Sequence, residues 1–305
     1  NSWDGPTIAN NDINFDTTNN DPNVVGLYLT NCDVADYAIT TDSNTIDIGQ
    51  NAVWNDGCIW NDVDSVITGS GESGSVGYDD DNTFGFDITL DGTTISGFET
   101  GIHKTGGGLL TLTGDAVITA GDNGIGVHTE DIAVSSIGST VDGGTNGIGM
   151  KVENSQLAWF YPMDVTGNVG VDISNSEILW ESGAVDASTI LIADAVSGTV
   201  QSLTDPASSG GAGVASAAST TMVDARGNSR LTIVDWPLDE TKVLVDSTSV
   251  IEESNWLSID ANHLGAEPTT DVGLSIISDL DYTAYSSPVF EGTMIADGDS
   301  SDWTS

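Results

Sequence analysis

The sequence predicts an all-β fold: a right-handed parallel β-helix solenoid, with three short strands in each coil and about 21–25 residues per coil, a period in the solenoid range. Three observations predict it. The phrase NGIGVHTE (Asn123–Glu130) returns one period later as NGIGMKVE (Asn146–Glu153). A Gly-apolar-polar signal recurs at Gly101-Ile102-His103, Gly126-Val127-His128, Gly149-Met150-Lys151 and Gly170-Val171-Asp172. It continues, at nearly the same step, to Leu191-Ile192-Ala193 and Gly213-Val214-Ala215. The segments between these points alternate apolar and polar residues with period two and are broken by Gly, Asn, Asp and Ser, a strand pattern and not a helical one.

A self-similarity of this length marks a solenoid. The Leu-x-x-Leu-x-Leu frame of leucine-rich repeats is absent. One coil reads GVHTE, DIAVSSIG, STVDGG; the next reads GMKVENS, QLAWFYP, MDVTGN. A single coil cannot bury its inward row. Stacking coils about 4.8 Å apart completes both the hydrogen bonds and the core. The predicted inward columns are Ile102, Val127, Met150, Val171, Ile192 and Val214; then Leu110, Ile132, Leu157, Ile178 and Val200; then Val117, Val141, Val165 and Val185. Gly and Asn at the corners supply the positive φ that sharp bends need.

VENSQLAW (Val152–Trp159) and ISNSEILW (Ile173–Trp180) lie one period apart, and LTNCDV (Leu29–Val34) has the same shape. In these corner phrases the chain resembles the pectin-lyase-like superfamily of right-handed β-helix proteins, over residues 24 to about 260. The resemblance implies stacked corner asparagines. It implies no particular activity, because the fold hosts lyases, hydrolases, adhesins and viral spikes.

The predicted organisation is an N-terminal cap or entering strand over 1–23 and the β-helix over 24–234. The last coils and a C-terminal cap follow over 235–295, and a linker or the start of a following module over 296–305. Within the β-helix, the small-residue stretch 204–222 reads as a projecting loop. Trp236, Trp256, Tyr282, Tyr285 and Phe290 are the large residues of the cap. DGDSSDWTS at the end resembles the opening of a β-sandwich module of secreted proteins. With a start at Asn-Ser-Trp, it suggests an excerpt from a longer chain.

Lys plus Arg number 5 against 47 Asp plus Glu, a net charge of −42. Such a chain repels itself until salt shortens the Debye length to about 3 Å near 1 M, so salty surroundings are expected. Nucleic acid and anionic membranes, which need basic contacts, are not expected partners. No segment has the roughly 20 apolar residues of a membrane helix.

His103, His128, Lys151 and Asp172 fall on consecutive coils as one outward ladder, with Glu130 and Glu153 on the same face. Two histidines beside carboxylates suit a transition metal or acid–base work; a solvated surface ladder is the plainer reading. Asp79, Asp80 and Asp81 offer oxygens to Ca²⁺, as do Asp297, Asp299 and Asp302. Trp54 and Trp60 either stack on sugar rings or cover the core. Cys32 and Cys58, about one coil apart, form either a disulfide or stacked thiols. β-Helix lyases take Arg or Lys as base beside Ca²⁺, and on that resemblance Arg226 or Arg230 would serve. The alternative is ion pairing to nearby carboxylates. The Asn-Thr-Asp, Gly-His-Gly and Arg-Ile-Lys motifs of polygalacturonases are absent.

The expected function is a non-enzymatic extracellular or cell-surface module of a salt-adapted microbe, a rigid spacer or adhesive segment of a filament or spike protein. Its partners would be other domains of the same chain, copies of itself, or polysaccharide. The alternatives are a polysaccharide lyase or hydrolase and a carbohydrate-binding module.

Overall fold

The computed structural model describes residues 7–14, 25–30, 38–80, 86–204, 219–236, 238–254, 273–275 and 293–295. The chain divides into two units, Asn1–Asn255 and Trp256–Ser305. In the second unit the described strands Gly273–Ser275 and Thr293–Ile295 pair antiparallel. The first unit is the parallel β-helix. The aromatic cap residues expected beyond it, Trp256, Tyr282, Tyr285 and Phe290, lie outside the described residues.

Each coil contributes to three faces. Face I holds strands such as Asn51–Asp56, Val76–Asp80 and Ile148–Glu153. Face II holds Ile59–Val63, Ile88–Asp91 and Leu157–Phe160. Face III holds Thr45–Asp47, Val66–Thr68 and Thr140–Asp142. Face II is an 11-stranded parallel sheet running from Thr7–Ala9 to Val250–Ser254. In the middle coils, faces III and I join in single bent strands, such as Thr94–Thr105 and Val117–Glu130. The joint is irregular: register shifts between Ser96 and Thr100 absorb the bend. Among the described residues no helix is long and apolar enough to cross a membrane.

Register decides which residues reach the core. The face I column is Ile102, Val127, Met150, Val171, Leu191 and Val223, all fully buried. The expected Ile192 instead pairs with outward Asp172, because the coil between Val171 and Leu191 is shorter by a single position than the sequence spacing suggested. Val214 lies outside the described residues. The column resumes at Val223, after a step longer than any before it, so the extra chain enters before this strand. On face III the column is Ile95, Ile118, Val141, Val165 and Val185. Val117 faces outward, since a one-residue slip exchanges the two sides of a strand. On face II, Leu110 meets Ser135, Ala158 and Ile178, while Leu112, Ile137, Phe160, Trp180 and Val200 form the bulkier column. Leu157 is outward and only half-buried, and Ile132 is buried at the corner before its strand.

The repeated glycine has a steric cause rather than the positive φ expected at the corners. A Cβ on Gly126 would stand 2.6 Å from the Gly149 carbonyl oxygen and 2.6 Å from Val141 Cγ1. The chain folds back so tightly between faces III and I that only hydrogen fits. The corner between faces I and II instead selects positive φ: Asn154 (52°) and Asn175 (47°) occupy it, and Asn175 Nδ2 donates to Asn154 Oδ1 at 3.2 Å. Asn and Asp tolerate this conformation better than other side chains.

Gly126→Ala is expected to lower unfolding stability by about 1–3 kcal/mol, the usual cost of overpacking a tight site. Urea titration followed by circular dichroism measures it. An unchanged midpoint would mean that the bend has room for a methyl group.

Candidate functional site

Face I carries the expected ladder. His103 pairs in register with His128, His128 with Lys151, and Lys151 with Asp172. The same outward column continues to Asp79, Trp54 and Tyr28 in the other direction. Parallel pairing at about 4.8 Å per coil turns residues far apart in sequence into direct neighbours.

Hydrogen bonds and ring contacts link the ladder's side chains. His103 Nδ1 lies 2.8 Å from Asp79 Oδ1. The His103 and His128 rings are 5.1 Å apart and tilted by 33°. Glu153, from the second outward column, accepts from His128 Nε2 at 2.8 Å and from Lys151 Nζ at 2.5 Å. Burial and these contacts together shift the titration of the ladder's groups. The Lys151 hydrogen bond is the main cause holding Glu153 below the usual carboxylate range. Burial lowers His128 despite its bond to Glu153, with Lys151 and His103 pushing the same way, so His128 is neutral near pH 7. Burial raises Asp172, reinforced by Glu153 and Asp194 and opposed by Lys151 and Arg226.

The other sequence candidates do not converge there. Asp79 and Asp80 are consecutive in a strand and point to opposite sides: Asp79 outward to His103, Asp80 inward to the buried Lys104. They cannot share one Ca²⁺, and Asp81 lies outside the described residues, as do Asp297, Asp299 and Asp302. Among the described residues no group of three His, Cys, Asp or Glu is arranged to hold a metal. Trp60 is a core residue, 1% exposed; it stacks on Tyr78 at 4.8 Å and donates its indole N–H to Thr41 Oγ1 at 2.8 Å. It has no ring face left for a sugar. Trp54 is on face I, edge-on to Tyr28 at 5.8 Å, and Tyr28 is 54% exposed. Cys58 is buried and disulfide-bonded; its partner lies outside the described residues, where Cys32 also lies.

Arg226 ends a face I strand and Arg230 begins a face II strand, so a corner separates them. Arg226 is gripped by Asp224, with Nε donating to Oδ1 at 3.0 Å and Nη2 bonded to Oδ2. That pairing raises the Arg226 guanidinium further above its ordinary value and makes it a poorer base.

Sequence reasoning missed Tyr28 and Lys104. The signal for Lys104 was present: with Ile102 inward and His103 outward, strict alternation turns Lys104 inward. Tyr28 could not be aligned from the repeat, which is weakest at that end. Compared with known proteins, the chain matches no family model, no curated protein and no solved structure.

The lowered pKa of His128 fixes a sign. The folded state resists its protonation, so this contribution to stability is present above pH ~6.5, the unfolded value, and is lost as pH falls below it. His128→Gln is therefore expected to flatten the fall in stability on acidification. Denaturant midpoints between pH 5 and pH 8, with the imidazole titration followed by NMR, test this. A His128 midpoint above the unfolded value would contradict the assignment.

Proposed function

We propose that this chain is a non-enzymatic extracellular β-helix module: a rigid spacer or adhesive segment of a surface, filament or spike protein from a salt-adapted microbe. The carrying observation is a single hydrophobic core that runs from Leu29 to Trp236 through every described coil. Each coil is hydrogen-bonded to its neighbours, so bending the module means breaking ladders on several faces at once. The net charge of −42 supports a salty environment, and the disulfide at Cys58 supports an oxidising compartment. We also read the chain as a member of the pectin-lyase-like superfamily, on its three-strand coils and its paired corner asparagines. Its partners in this reading are neighbouring domains or further copies of the chain.

Two observations support the non-enzymatic reading over a lyase. Arg226 is committed to Asp224, and Arg230 belongs to another face. Incubated in high salt with Ca²⁺ and a panel of acidic and neutral polysaccharides, the folded protein is expected to give neither unsaturated uronate absorbance nor new reducing ends. Product that disappears in Arg226→Ala or Arg230→Ala would overturn the structural reading.

One observation favours carbohydrate binding as a second role. Tyr28 and Trp54 are adjacent aromatics on the outside of face I, beside the polar ladder from Asp79 to Glu153. Aromatic faces flanked by hydrogen-bonding groups suit sugar rings. In affinity electrophoresis through neutral polysaccharides, retardation of the wild type is expected to be lost in a Tyr28→Ala, Trp54→Ala double variant. Equal mobility of both proteins in every polymer would remove this role.

A further inference from the structure

The interior of face I holds one column that is polar where its neighbours are apolar. Asn55, Asp80 and Lys104 stand in register on three successive coils, and all are at most 1% exposed. Lys104 Nζ donates to Asp80 Oδ2 at 2.9 Å. Tyr78 is fully buried beside the Asp80 carboxyl, whose charge acts on its hydroxyl, and Asn55 Nδ2 donates to the Tyr78 hydroxyl at 3.0 Å. Asn55 is itself fixed by Cys58: it accepts from the Cys58 N–H at 2.9 Å and donates to the Cys58 carbonyl at 2.8 Å. The Trp60 ring stacks on Tyr78 and shields the group from one side.

We propose that Lys104 and Asp80 condense spontaneously to an intramolecular isopeptide bond that covalently joins two adjacent coils. An amine, a carboxyl group and a hydroxyl donor are held together away from water, and Nζ is hydrogen-bonded to an atom one bond from the carbon it attacks. Two buried charges are costly even when paired. A proton shift along the 2.9 Å hydrogen bond converts the ammonium and carboxylate into an amine and a carboxylic acid. The Nζ lone pair then attacks Asp80 Cγ, and the carbonyl electron pair moves to the other carboxyl oxygen. The Tyr78 hydroxyl stabilises the charge that develops on this carboxyl group, as preorganised donors do at an oxyanion. Burial and the negative field of Asp80 hold the Tyr78 pKa well above its ordinary value, so it stays a donor. When the carbonyl re-forms, Cγ–Oδ2 breaks and the oxygen leaves as water, with one proton from the acid and one from Nζ. One C–N bond forms, one C–O bond breaks and one water is released; no oxidant is needed. Fixed proximity supplies the entropy that such a reaction lacks between free groups. Lys151, 26% exposed and beside Glu153, has no such dry setting. The proposal does not depend on what face I binds.

The test is the intact mass of the reduced, denatured full chain. The expected value is the sequence mass less one water. Proteolysis is then expected to yield a branched peptide joining strand Val76–Asp80 to strand Thr94–Thr105. Lys104→Arg is expected to restore the full sequence mass, folded or not, and Tyr78→Phe to slow the approach to the lighter species. Wild-type protein at full sequence mass would overturn the proposal. So would a missing water that maps to an Asp-Gly succinimide, or one that persists in Lys104→Arg.

Discussion

The structure depends on parallel hydrogen bonding between coils. No coil has an inside by itself: its inward residues meet one another and the equivalent residues of the coils above and below. The core is therefore a set of columns, and each column exists only while register holds. Where a coil shortens by a single position, as between Val171 and Leu191, the new register still brings an apolar residue inward. Ile190 takes the slot beyond Gly170 and Leu191 continues the column. The corners obey the same constraint. Gly126 is there because the next coil's backbone oxygen is too near, and Asn154 and Asn175 because the turn needs positive φ and offers a partner one coil away.

Stacking also organises the charge. On an isolated strand the sequence around His103 is a scatter of basic and acidic groups. In the β-helix Asp79, His103, His128 and Lys151 lie a coil apart, and Glu153 closes two contacts at once. With 5 basic residues against 47 acidic ones, most carboxylates cannot have a base of their own, so the few bases matter locally. On face I, Lys151 pairs with Glu153 and Arg226 with Asp224, while the remaining acidic residues rely on the screening of a salty solvent.

The same geometry places polar groups in the interior. Asp62 is buried and accepts hydroxyl hydrogen bonds from Ser65 of its own coil and from Thr41 and Thr93 of the coils on either side. Asp80 is buried against Lys104 and Tyr78. Both carboxylates sit toward the N-terminal part of the β-helix. The next equivalent inward position is the buried Thr129, and beyond it Val152, Ile173 and Ala193 are apolar. The hydrophobic core is thus interrupted by buried carboxylates only toward its N-terminal part among the described residues.

By itself the sequence determined the fold class, the period, the asparagine corner and the outward ladder from His103 to Asp172, while the steric need for the repeated glycine came from the structure. Each of these is written locally, as a spacing or an alternation that any coil repeats. Tertiary structure alone decided register where the period slips, hence Leu191 for Ile192, Ile118 for Val117 and Val223 after a long insertion. It also decided which aromatics are buried: Trp54 and Trp60 flank the same short stretch, yet one lies on face I and the other in the core beneath face II. The physical reason is that a strand's two sides are exchanged by a slip of a single position, and the side turned inward is selected by the neighbouring coil rather than by the strand's own sequence.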